Sequence, residues 1–161
     1  MSDTKKQKIP SSGENTNMAK SDLVLLCFDL HAASRAMTAV YRPLLEEAGL
    51  TYPQYLVMLL LWKEEPRKVK DLGRVLELDS GTLSPLLKRL EAAGLVQRQR
   101  RAADEREVEV TLTLEGSALQ EHMRHIPRAT ARATDLSGDE IEGLRSQLSE
   151  LRAALRQGPA E

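Results

Sequence analysis

The sequence predicts a mainly α-helical fold with one small β-hairpin, organised as a winged helix-turn-helix. Three observations predict it. Two short apolar-periodic segments flank "ELDSG", where Asp79 can cap a second helix. Directly after that helix, Val108, Val110 and Leu112 alternate with Glu107, Glu109 and Thr111, the pattern of a half-buried strand. Long segments with helical periodicity lie on both sides of this unit.

In chain order, Leu23, Leu26, Cys27, Leu30, Ala33, Met37, Val40, Tyr41, Leu44 and Ala48 form one apolar stripe. They predict an amphipathic helix over 21–48, closed by Gly49. The stripe is long for a small domain, so part of it is expected to face something beyond that domain. A second helix is expected from Pro53, where proline suits a first turn, to the stop at Pro66. Its stretch Leu56 to Trp62 is apolar nearly all round, as in a central, buried helix. Val69, Leu72, Val75 and Leu76 mark a short third helix. Leu83, Leu86, Leu87 and Leu90 mark the fourth, with Pro85 early in it and Gly94 ending it. The strand at 108–112 is expected to pair with 95–98 across the polar loop "RQRRAADE". Thr113 can cap a helix running into the 120s, and Pro127, within or at the end of that region, could kink it. Ser137 can cap the last helix, whose Ile141, Leu144, Leu148, Leu151 and Leu155 form a narrow stripe suited to helix–helix association.

The chain of 161 residues is long enough for a real core. No apolar run was expected to reach the ~20 residues of a membrane span, and the N-terminus lacks the apolar region of a secretory signal. Residues 1–19, polar and holding Pro, Ser, Gly and Asn, are expected to be a disordered tail. One cysteine excludes an internal disulfide, and a reducing cytoplasm is the expected location. Net charge is −1, yet from Lys88 to Arg106 six basic residues face three acidic ones. A local patch of that sign can attract phosphates that the average hides.

The order of elements resembles the MarR family of winged-helix repressors over about Asp22 to Leu155. More narrowly, "LCFDLHAASRAMTAVYRPLLEEAGLTYPQYLVMLLLW" and "LDSGTLSPLLKRLEAAGLVQRQRRAADEREV" resemble the organic hydroperoxide sensor (OhrR-type) branch. The resemblance implies a homodimer on double-stranded, pseudo-palindromic operator DNA. Residues 20–50 and 115–157 would supply dimerisation helices, and 51–114 the winged helix-turn-helix. It implies a one-cysteine sensor in which organic hydroperoxide oxidises Cys27, and in which Tyr41 and Tyr52 bond that cysteine across the dimer. Helical rise is consistent with this, because Tyr41 lies fourteen residues beyond Cys27, ~21 Å along the same helix. Tyrosine hydroxyls aimed at the sulfur would favour thiolate over thiol. With no second cysteine, the resulting sulfenic acid would persist, oxidise further or condense with a low-molecular-weight thiol. His31, one turn from Cys27, departs from the family pattern, which commonly has a further tyrosine there; it could tune the thiolate.

For DNA, the start of the second helix of the pair offers Ser80, Thr82 and Ser84, with Lys88 and Arg89 further along to grip the backbone. The wing would bring Arg98 and its neighbours to the minor groove. The family's wing motif places Asp104 as a brace for Arg106. No cofactor and no enzymatic activity are expected. Other assignments compatible with the residues are a repressor answering to a non-covalent phenolic or other small ligand, a metal sensor using Cys27, His31, His122 and His125, and a thiol peroxidase. Taken alone, a cysteine on an apolar stripe reads as core filler.

Overall fold

The computed structural model describes residues 20–101 and 104–158, with only the backbone of Lys20, Ser21, Arg101 and residues 104–106. The expected N-terminal tail lies outside the described residues. Among the described residues, seven helices and three strands follow one another: α1 (Lys20–Glu46), α2 (Tyr52–Lys63), β1 (Arg67–Lys68), α3 (Val69–Leu76), α4 (Ser80–Ala92), β2 (Val96–Arg101), β3 (Asp104–Leu112), α5 (Leu114–His122), α6 (Ile126–Thr134) and α7 (Gly138–Gln157). The chain divides into two bodies, one ending at Ala39 and the other beginning at Val40.

The first body is the N-terminal part of α1. Most of its apolar side chains are exposed, Leu23 by 53% and Phe28 by 67%. One correction concerns membranes. Asp22–Glu46 is long and apolar enough, by length and composition, to cross one, with a window of mean hydropathy 1.4.

The second body closes a core of its own. Leu45, Tyr55, Val57, Met58, Leu61, Leu72, Leu83, Leu87, Leu90, Val96, Val110 and Ile126 are almost completely buried. This core draws on residues to both sides of 51–114, from Leu45 to Thr130. Helix α2 lies centrally, as its all-round apolar run predicts. The Thr51 N–H at its start donates to the Gln54 side-chain oxygen at 2.8 Å, which stabilises the first turn. Glu77 adopts a left-handed conformation (φ 56°) and stops α3. Asp79 then caps α4.

The sheet has order β1-β3-β2 and is antiparallel throughout. Arg98 pairs with Val110 and Val96 with Leu112, so Val96 and Val110 both turn into the core. The hairpin is longer than the expected loop allows, because Gln99–Arg101 and 104–107 belong to strands. Both faces of that outer half are polar, so alternation cannot mark it. Pro127 does not kink the helix that begins at Leu114, which ends before it at His122. It stands at the start of α6, after a break at residues 123–125, where its missing N–H is harmless.

The wing is anchored at its root by α2 and α5. Trp62 Nε1 donates to the Gly116 carbonyl at 2.8 Å. The Thr113 hydroxyl donates to the Gly94 carbonyl at 2.6 Å and accepts from the Gly116 N–H at 2.9 Å. Gly116 is packed so tightly on the Leu95 carbonyl that a Cβ would lie 2.0 Å from that oxygen. Only glycine fits this approach.

Candidate functional site

The recognition face is built by α4. Leu83, Leu86, Leu87 and Leu90 fix one side of the helix in the core. That leaves Ser80, Thr82, Lys88 and Arg89 exposed, with Ser84 half-buried. The Asp79 carboxylate accepts from the Thr82 N–H at 2.8 Å and from the Thr82 hydroxyl at 3.1 Å. These bonds hold Asp79 below the usual carboxylate range. They also commit the Thr82 hydroxyl proton, so that hydroxyl can accept from a base N–H but has no proton to give a phosphate.

The wing residues divide into two groups. Arg98 is turned onto the end of α4: its Nε and Nη2 donate to one Glu91 oxygen at 2.9 and 2.5 Å, and its backbone N–H donates to the other at 3.2 Å. The hydrogen-bonded guanidinium holds the Glu91 carboxyl below its ordinary range. Arg98 therefore ties the wing to the recognition helix. Lys68 makes a second tie, reaching Glu107 of β3 at 2.8 Å. Arg100 is exposed. The side chains of Asp104 and Arg106 lie outside the described residues. Between α3, α4 and the sheet runs an open crevice of about 760 Å³, with Lys70, Arg74, Ser80, Ser84 and Arg98 on its walls and Leu83 and Leu87 behind them.

In the first body, Cys27 and His31 are both exposed. No hydrogen bond joins them among the described residues. In the second body, Tyr41 and Tyr52 meet with ring centroids 4.7 Å apart. Tyr55, absent from the sequence-predicted site, completes the group at 5.9 Å from Tyr41. These are the chain's three tyrosines. Burial first, then the neighbouring phenols, raises Tyr55 to about 12 and pushes Tyr52 upward as well. The spacing of Tyr55, three residues beyond Tyr52 on one helix, is the signal that could have found it.

His122 ends α5 and His125 precedes α6, so the two do not share a helix face. Each bonds a backbone carbonyl, of Ala118 and His122 respectively. No group of three or more His, Cys, Asp or Glu suited to a metal ion occurs among the described residues.

Comparison with known proteins agrees with this architecture. The SarA/Rot transcriptional regulator family matches residues 39–123. The organic hydroperoxide resistance transcriptional regulator of Bacillus subtilis is 47% identical over 132 residues, covering 82% of this chain and 90% of that one. The transcriptional regulator TtmR of Methylorubrum extorquens is 48% identical over 130 residues, 81% of this chain and 67% of that one. Among solved structures, AbfR of Staphylococcus epidermidis superposes with a TM-score of 0.74 at 36% identity, covering 88% of this chain and 99% of that one. AbfR has been solved reduced on DNA, overoxidised on DNA and in a disulfide form. The chain belongs to the SarA/Rot family of winged-helix, DNA-binding transcriptional regulators, within the wider MarR type.

Proposed function

We propose that this regulator is a homodimeric, cytoplasmic repressor that leaves its operator when organic hydroperoxide oxidises Cys27. The observation that carries the reading is the 47% identity, over 90% of its length, to a regulator of organic hydroperoxide resistance. The chain's single cysteine, exposed on the helix nearest the N-terminus, supports it. So does the existence of a relative, AbfR, in several cysteine oxidation states.

The chemistry is that of one thiolate. Sulfur attacks one oxygen of the peroxide, the O–O bond breaks, and the alkoxide takes a proton to leave as alcohol. Cys27 becomes a sulfenic acid and the peroxide is reduced by two electrons. A small cellular thiol can then condense with it, releasing water and leaving a mixed disulfide. Tyr41 and Tyr52 of one protomer are assigned to the Cys27 sulfur of the other, and His31 to tuning the thiolate. The dimer forms through 20–50 and 115–157, and residues 51–114 read DNA. Ser80 and Ser84 approach base edges or phosphates, Thr82 accepts from a base-edge donor, and Lys88 and Arg89 hold the backbone. Arg106, braced by Asp104, enters the minor groove, while Arg98 positions the wing through Glu91.

A second reading rests on the crevice beside α4: a small non-covalent ligand seated there would compete with DNA. The two separate in one experiment. Operator gel shifts are run with wild type and Cys27→Ser, with and without cumene hydroperoxide, and the mass of Cys27 is measured. Release by peroxide in the wild type alone, with added mass on Cys27, is the expected result. Release of the Cys27→Ser protein by the same peroxide overturns the cysteine mechanism.

A further inference from the structure

The tyrosine cluster and the wing root occupy opposite ends of α2, and a continuous line of contacts joins them. Tyr52, Tyr55, Leu59 and Trp62 fall at intervals of three and four residues, on one stripe of the helix. Tyr41 packs on Tyr52 and on Tyr55. Tyr55 meets the Trp62 ring edge-on at 6.2 Å. Trp62 Nε1 then holds the Gly116 carbonyl. Gly116 bears directly on the backbone of Leu95, the residue that leads into β2.

Two properties make this line a transmitter. Tyr55 is 2% exposed and stands between Tyr41 and Trp62, so a displaced Tyr41 bears on it directly, the space beside it being a cavity of about 280 Å³ shared with Leu59, Trp62 and Met123. The contact of Gly116 with Leu95 is backbone on backbone, with no flexible side chain to give way. A shift at Tyr41 and Tyr52 therefore has two outlets: rotation of the Tyr55 and Trp62 rings, or movement of the start of α5 together with the wing root.

We infer that Trp62 is a positioning residue for the redox response, carrying movement of the tyrosine cluster through its indole N–H to Gly116 and the root of the wing. The inference rests on the reading that Tyr41 and Tyr52 answer to oxidation of Cys27. Trp62 touches neither the peroxide nor DNA. It sets where the wing stands when the tyrosines move.

Trp62 is the chain's one tryptophan, so its fluorescence reports this position alone. Cumene hydroperoxide added to the full-length protein should change Trp62 emission in step with operator release, and neither change should occur in Cys27→Ser. Trp62→Phe keeps a ring but loses the N–H donor. Its Cys27 should oxidise at the wild-type rate, and its operator affinity is measured in both the reduced and the oxidised form, so that a basal loss from the missing wing anchor cancels in their ratio. The ratio of oxidised to reduced Kd should fall about fivefold or more, within the range by which residues remote from both sites alter coupling. Tyr55→Leu, which keeps the tryptophan, should uncouple its emission from oxidation of Cys27 and lower the same Kd ratio, which keeps the test open if Trp62→Phe proves unstable. Operator release without any change in Trp62 emission, or an unchanged Kd ratio in a folded Trp62→Phe, overturns the relay and leaves the cysteine mechanism standing. Peroxide-driven release from Cys27→Ser overturns the underlying reading, and the relay with it.

Discussion

The DNA-reading body and the terminal helices treat the same kind of residue in opposite ways. In α4, every leucine of the stripe is at least nine-tenths buried against α2, α3 and the sheet. In α7, no residue is buried, and Leu144, Leu148 and Leu155 are 46%, 41% and 72% exposed. The early part of α1 is as bare as α7. Spacing separates the two kinds of stripe. Ile141, Leu144, Leu148, Leu151 and Leu155 recur at alternating intervals of three and four, as do Leu23, Leu26, Leu30, Ala33 and Met37. That rhythm is a seam for another helix. The α4 stripe, at 83, 86, 87 and 90, is a broader face suited to a globular core. The lesson is that apolar periodicity marks a helix with a stripe to cover, and that the broad stripe of α4 is covered by the chain's own core while the narrow stripes of α1 and α7 stay largely exposed.

The largest effect should come from putting charge into the seam. Leu148→Glu places a carboxylate where the dimer reading puts an apolar contact. Removing one leucine contact and desolvating a carboxylate together should weaken association by about 3 kcal/mol or more, ~100-fold in the dimer constant. Sedimentation should show monomer, and operator affinity should fall with it, while thermal unfolding of the DNA-reading body changes little. A dimer of wild-type strength in this variant would end the idea that α7 is covered by a second copy.

The matching change inside the DNA-reading body should be next in size and opposite in kind. Gly116→Ala adds one methyl where Leu95 O already stands, and the contact is with backbone. Overpacking of that sort costs about 1–3 kcal/mol, and a rigid neighbour puts it toward the upper end. The melting temperature should drop while the dimer constant is unchanged. An unaltered melting temperature would mean that the close approach of α5 to the wing root is not present in solution.

Much of the DNA-reading body was legible in the sequence because its signals are local. Asp79 and Thr113 each accept from the N–H three residues on, as capping residues do, and Ser137 does the same outside that body at the start of α7. Val96 and Val110 show the inward alternation of a strand. What stayed hidden depends on distant partners. Gly116 looks like any helical glycine until Leu95 is brought beside it. Arg98 looks like a wing cation until Glu91, on the preceding helix, takes both its guanidinium and its N–H. Strand β1 is two residues long, too short for any periodicity. For the proposed sensing site, the family resemblance supplied Tyr41 and Tyr52, and packing places Tyr55 beside them.

The smallest effect compares the caps of the two regions and turns on pH. Asp79 caps α4, and Glu140, which accepts from the Ser137 N–H at 2.8 Å, completes the cap of α7. Both carboxyls are held below their ordinary values by these hydrogen bonds. A depressed carboxyl stabilises the fold above its unfolded pKa and ceases to do so as pH falls through the folded one. Both helices should therefore lose a little stability on acidification below the normal carboxylate range and none between there and neutrality. Asp79→Asn separates them, because asparagine caps as well as aspartate but does not titrate in this range. In that variant, acid should still loosen α7 while the acid sensitivity at the start of α4 is lost, as followed by amide hydrogen exchange at Thr82 and at Glu140. If the Thr82 amide of Asp79→Asn opens in acid as readily as that of the wild type, the Asp79 cap is not what ties the start of α4 to pH.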